Sequence, residues 1–265
     1  MIWPFLALLL LPTLVITLWH LVLTRMSPRV WGMYRITGVV GVPVHELAHA
    51  IACVVFGLRI TGMALYAPDP VTGSLGYVHF RYHPTSPRQV LGLLIQGVAP
   101  MLLGGGIAMW VLHLPVVGAL PDQGIAGMWR WGIDTVWSVL KGIAALATDG
   151  TLGALAAAVM LLISLHSIPS YADVRLGLRG AILVGVPASL VVSLLQIFHV
   201  NDGPGRASSG AALGGFQTVI EAGLWGALSG ALAVVTLAVL AGVLLIVLPA
   251  AVSATWSLLR GVLRS

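Results

Sequence analysis

Charge is what this sequence lacks most. Of its 265 residues, 8% are charged and 58% are apolar, and the mean hydropathy is +1.02. Soluble domains carry about 25% charged residues, so a soluble globular protein is excluded. Cysteine is nearly absent: Cys53 stands alone, which excludes an internal disulfide and a thiolate metal cluster. Acids number 8, and only Glu46 and Glu221 are glutamates. Each acid inside an apolar stretch therefore calls for a chemical reason. A basic run is also missing. The 13 Lys and Arg, which give a net charge of +5, are scattered at segment ends. They suit headgroup anchors and argue against nucleic acid as a partner. Trains of alternating ten-residue strands are lacking too. Unbroken apolar runs such as residues 227–247 exclude a membrane barrel.

What remains is an all-α polytopic membrane protein, a single domain with no internal repeat. A span needs about 20 apolar residues at 1.5 Å rise. About six segments meet or approach that length: residues 5–24, 36–57, 89–112, 151–168, 176–198 and 224–248. The first has neither a basic start nor a small-residue cleavage site, and is expected to be an anchor. Two intervals are not spans. Residues 59–82 carry strand-forming residues around a turn cluster at 67–73, with Val78, Phe80 and Tyr82 alternating with His79 and Arg81. That pattern predicts a small membrane-associated β-hairpin. Residues 125–146 hold Trp129, Trp131, Trp137 and Lys141 in a helical pattern, expected to lie at the headgroup level. With both ends cytoplasmic, seven basic residues fall on the cytoplasmic side and six on the other, too even a split to set orientation.

Chemistry concentrates inside the second apolar segment, at His45-Glu46-Leu47-Ala48-His49. On a helix, residues i and i+4 share a face, so both imidazoles reach one ion, and Glu46 borders that face. With this composition, chance yields HExxH in only about 0.002 of shuffled chains, so the motif stands above noise. The bland alternative is a pair of core histidines bridged by a buried glutamate. Three ionisable groups in one turn of an apolar helix weigh against it, because unpartnered burial costs several kcal/mol. Zinc accepts neutral imidazole nitrogen, and a catalytic zinc takes three protein ligands and leaves one position for water. Glu46 is then the general base that activates that water.

The third ligand should come from the membrane face nearest His49. The segment at 151–168 ends there, in His166-Ser167-Ile168-Pro169-Ser170-Tyr171-Ala172-Asp173. Pro169 breaks the helix, and residues 151–165 cover only about 22 Å. The chain should unwind within the bilayer, which is tolerated around a cavity. Asp173, expected on this unwound stretch, is the favoured third ligand, with His166 as the alternative. Asp149, Asp202, His20, His113, His199 and Glu221 belong to the opposite face. If Asp173 does not bind metal, it serves as a helix cap.

These residues resemble the site-2 protease family of intramembrane zinc metalloproteases. The likeness rests on the HExxH helix, the following hairpin, and an Asp after a Pro on a later segment, and covers roughly residues 36–180. It implies a minimal catalytic core in the cell membrane that cuts a polypeptide substrate within or near the bilayer. It further implies one zinc ion held by His45, His49 and Asp173, Glu46 as base, and an active site toward the cytoplasmic side. Where the family carries Asn, this chain has His166, a candidate oxyanion or substrate contact. The family's Gly-Pro motif with a following Asn is reduced to Gly97-Val98-Ala99-Pro100-Met101. These departures motivate a second hypothesis, a metal-binding membrane scaffold or sensor that does not cut. Among secondary features, Pro43 would loosen the helix before His45, Gly104-Gly105-Gly106 permits close helix packing, and the hairpin offers an edge for substrate strand addition.

Overall fold

The computed structural model describes residues 28–115, 125–185 and 207–249, with a few isolated positions nearer either end. The structure is mostly helical, 77%, and holds one two-stranded antiparallel sheet among the described residues. Helix α1, Pro28–Phe56, carries the HExxH motif and continues through Pro43. It stops at Gly57, whose φ of 71° admits the left-handed turn, while Leu58 N–H donates to Cys53 O at 2.8 Å. This pattern satisfies a carbonyl that the helix end would otherwise orphan.

The chain then turns directly into β1, Arg59–Ala64, which pairs with β2, Tyr77–Arg81, across a bulge between Ile60 and Gly62. Val78 and Phe80 are half-buried, whereas Tyr77, His79 and Arg81 are exposed, so the expected alternation holds through Arg81; Tyr82, expected on the inner face, is exposed and lies beyond the strand end. At the tip, the Asp69 carboxylate accepts from Thr72 Oγ1 and Val71 N–H, which holds it below its usual range. The hairpin docks on α1. Tyr66 Oη donates to Arg35 O at 2.7 Å, and Leu75 packs with Tyr34 and Val42.

Helices α2, Pro87–Gln96, and α3, Ala99–Val111, form a pair bent by 64°. Arg88 and Gln89 fasten the start of α2 to the end of α1 by donating to Val55 O and Gly57 O. Helix α4, Ile125–Thr148, turns at Gly150 (φ 71°) into α5, Gly150–His166. Residues 167–170 are non-helical. Helix α6, Tyr171–Gly180, follows at a bend of 65° and runs into a π-helical turn, Ala181–Gly185. Helix α7, Ala207–Gly242, ends in a second π-helical turn, Val243–Val247.

Among the described residues, two helical stretches, Val30–Phe56 and Ala222–Ser253, are long and apolar enough to cross a membrane, or up to four if each bent pair is one span. The segment at 5–24 falls largely outside the described residues, as does the part of the segment at 176–198 beyond residue 185. The segment at 89–112 is not one straight helix, because the chain changes direction around Gly97 and Val98. The helix expected at 125–146 is present. Val139 and Ile143 bury against Ala108, Met160 and Leu237, while Trp129, Ile133 and Trp137 face outward.

Backbone-to-backbone packing through small residues sets the frame. A Cβ at Gly41 would lie 2.4 Å from Leu162 O, and one at Gly105 would lie 2.7 Å from Gly230 C. A Cβ at Gly97 would lie 2.4 Å from Gly177 Cα. Such contacts are how membrane helices approach closely. The Gly97–Gly177 contact fixes the middle of α6 against the end of α2, which positions the third element of the site.

Candidate metal centre

His45 and His49 project from one face of α1, as the i, i+4 spacing dictates. Asp173 comes from the first turn of α6. The sequence placed Asp173 on an unwound stretch; the structure corrects this, and the break is confined to residues 167–170. Ser170 caps α6 by accepting from Asp173 N–H, and Asp173 Oδ2 accepts from Ser170 N–H at 2.7 Å. This reciprocal box starts the helix immediately after Pro169. Capping and convergence on the imidazoles were expected to exclude each other, yet the two carboxylate oxygens serve both.

The ligand atoms converge. His49 Nε2 lies 3.2 Å from Asp173 Oδ1, His45 Nε2 lies 3.6 Å from Asp173 Oδ2, and the two Nε2 atoms are 3.3 Å apart. Each of the three residues offers an atom within 4.8 Å of the others, an arrangement that could hold a metal ion. Atoms bonded at 2.0–2.2 Å to a tetrahedral ion are separated by about 3.3–3.6 Å, so the spacing suits such an ion.

The hydrogen bonds behind the rings sharpen the fit. His45 Nδ1 faces His166 O at 2.7 Å, and His49 Nδ1 faces Gln96 Oε1 at 2.7 Å. Both partners are acceptors, so each Nδ1 carries the proton and each Nε2 presents a lone pair. Two imidazole lone pairs and a carboxylate then point at one another. A single shared proton relieves one of these contacts, whereas a divalent cation relieves all three.

His166 does not offer its ring to this cluster. Thr37 Oγ1 donates to Tyr34 O, so the His166 Nε2–H donates to Thr37 Oγ1, at 3.0 Å, and the ring lies 4.4 Å from that of Tyr34. What His166 gives the site is its backbone carbonyl, freed because α5 ends there. Glu46 is buried, 6% exposed, and packs over Gly76, where a Cβ would lie 2.8 Å from Glu46 Cγ and 3.0 Å from Oε1. His45, Glu46, His49, Asp173 and His166 line one cavity of about 490 Å³, whose wall includes Trp31, Tyr34, Leu75, Val78 and Phe80.

Sequence reasoning missed Gln96 and Gly76. Gln96 carried a signal: a lone amide after Leu93-Leu94-Ile95 in an apolar run asks for a polar partner. Gly76 carried none, because its neighbour Glu46 is distant in sequence. Among the other acids and histidines, Asp149 stands at the start of α5 and His113 follows the end of α3. Both lie outside the converging group. Asp202, His20 and His199 fall outside the described residues. No family model, curated protein or solved structure matches this chain.

Proposed function

We propose that the protein is an intramembrane zinc endopeptidase, hydrolysing a peptide bond within or near the membrane segment of a protein substrate. In this proposal the chain crosses the cell membrane about six times, and the site opens toward the cytoplasmic side. The observation that carries it is the meeting of His45 Nε2, His49 Nε2 and Asp173 within 3.2–3.6 Å, with Glu46 on the wall of the same cavity. His45, His49 and Asp173 hold the zinc ion, which when bound supplies Lewis-acid polarisation and a water of lowered pKa. The Glu46 carboxylate takes the proton from the attacking water and passes it to the leaving amine nitrogen. The substrate must enter unwound, since a helical amide is shielded by its own turns. Trp31, Leu75, Val78 and Phe80 give the cavity an apolar wall, which suits side chains from a membrane segment.

The test is metal content against cleavage. Purified protein should contain one zinc per chain and cut labelled single-span peptides in detergent. Chelation should remove both properties, and added zinc should restore both. Cleavage by metal-free protein would overturn the proposal. Full zinc occupancy with no cleavage of any peptide would favour the scaffold or sensor.

Gly76→Ala supplies a second check. The new methyl would crowd Glu46 and approach Ala64 O to 3.0 Å, so the base or the strand must shift. Misplacing a catalytic group by about 1 Å costs on the order of a hundredfold in rate. We expect cleavage to fall by about that factor with zinc retained. Parental turnover would show that the hairpin does not constrain Glu46.

A further inference from the structure

Gln96 is 1% exposed, at the end of α2 directly after the apolar run Leu93-Leu94-Ile95. The two ends of its amide are not interchangeable. The Nε2 group donates to His49 O at 2.9 Å and to Cys53 Sγ at 3.0 Å. The His49 carbonyl can only accept, so the NH₂ must face α1 at that point. The carbonyl end is then forced toward His49 Nδ1, 2.7 Å away. An acceptor in that place requires the proton on Nδ1 and leaves Nε2 free to bind. A flipped amide would set its NH₂ against the ring and would favour the opposite tautomer, with its lone pair turned away from Asp173.

We infer that Gln96 is a positioning residue that selects the metal-binding tautomer of His49 and holds its ring in register with Asp173, an inference that rests on the metal centre proposed above. The pairing also explains why α2 can end on a buried amide. Each of the three hydrogen bonds reaches α1, and two of them reach His49 itself. The corresponding partner of His45 is the backbone carbonyl of His166, so Gln96 is the side chain through which this layer of the site is open to mutation.

Two variants separate positioning from packing. Gln96→Met keeps the length and shape of the side chain and removes every hydrogen bond. Gln96→Glu keeps an acceptor facing His49 Nδ1 and removes both donors. Zinc affinity is measured by chelator competition on purified full-length chain in detergent, and thermal unfolding is measured on the same samples after chelation. Loss of a group that orients a metal-ligating histidine typically costs 10–100-fold in affinity. We expect Gln96→Met to fall in that range and Gln96→Glu to stay within about threefold of the parent. Equal zinc affinity in Gln96→Met and parent would overturn the inference. So would an equal loss in both variants, or unfolding of both in the chelated state, since Gln96 would then serve packing alone. A parent chain that binds no zinc would instead refute the metal centre.

Discussion

In the proposed zinc endopeptidase, Glu46→Gln is expected to lower peptide hydrolysis by about a hundred- to ten-thousand-fold, the usual contribution of general acid–base catalysis, with zinc content unchanged. The substitution is nearly isosteric, and the side chain stays over Gly76, so neither the hairpin contact nor the imidazoles need move. What changes is the capacity to take a proton: an amide oxygen is too weak a base to deprotonate water at neutral pH. Zinc per chain and cleavage rate must be measured on the same preparation, because the prediction lies in their divergence. If the variant cuts at the parental rate with zinc bound, another group supplies the base. If zinc is lost with activity, Glu46 helps to build the site, and the assignment of its role is wrong.

Asp173→Asn is expected to abolish stoichiometric zinc binding and, with it, all cleavage. An oxygen of the new side chain can still accept from Ser170 N–H, so the first turn of α6 keeps its cap. The other end becomes an NH₂ near His49 Nε2, where the carboxylate now lies 3.2 Å away. An amide nitrogen is not a ligand for a divalent cation, and the site also loses its negative charge. The affinity loss should therefore exceed the roughly 10–100-fold typical of changes one layer further out. Asp173→Ala removes both functions, so its chelated form should unfold at a lower temperature than that of Asp173→Asn, by an amount set by the one hydrogen bond from Ser170 N–H, worth about 0.5–1.5 kcal/mol. Retained stoichiometric zinc in Asp173→Asn would exclude Asp173 as a ligand. Equal unfolding temperatures for the two chelated variants would show that the cap contributes nothing.

The local parts of the site were legible because their information is local. The HExxH face follows from helical periodicity, and the break at Pro169 follows from a missing N–H. The run Ser170-Tyr171-Ala172-Asp173 also carried a capping-box signature, which explains why Asp173 sits in the first turn of a helix and not on open coil. Direction was less legible. Hydropathy measures apolar length and not axis, so the stretch at 89–112 gave no sign of its 64° bend. Tertiary partners were least legible. Glu46 on α1 meets Gly76 of the hairpin, and His49 meets Gln96 across a helix pair. Both contacts depend on how elements dock, which no short window encodes.

The double duty of Asp173 bears on how an ion would be captured. Fixing a flexible side chain normally costs conformational entropy at the moment of binding. Here the Ser170 amide already fixes the carboxylate rotamer, and the backbones at Gly97 and Gly177 hold the helix that carries it. The chain meets that ordering cost when it folds, so the pocket is preorganised, and the vacant and loaded forms should share nearly one shape.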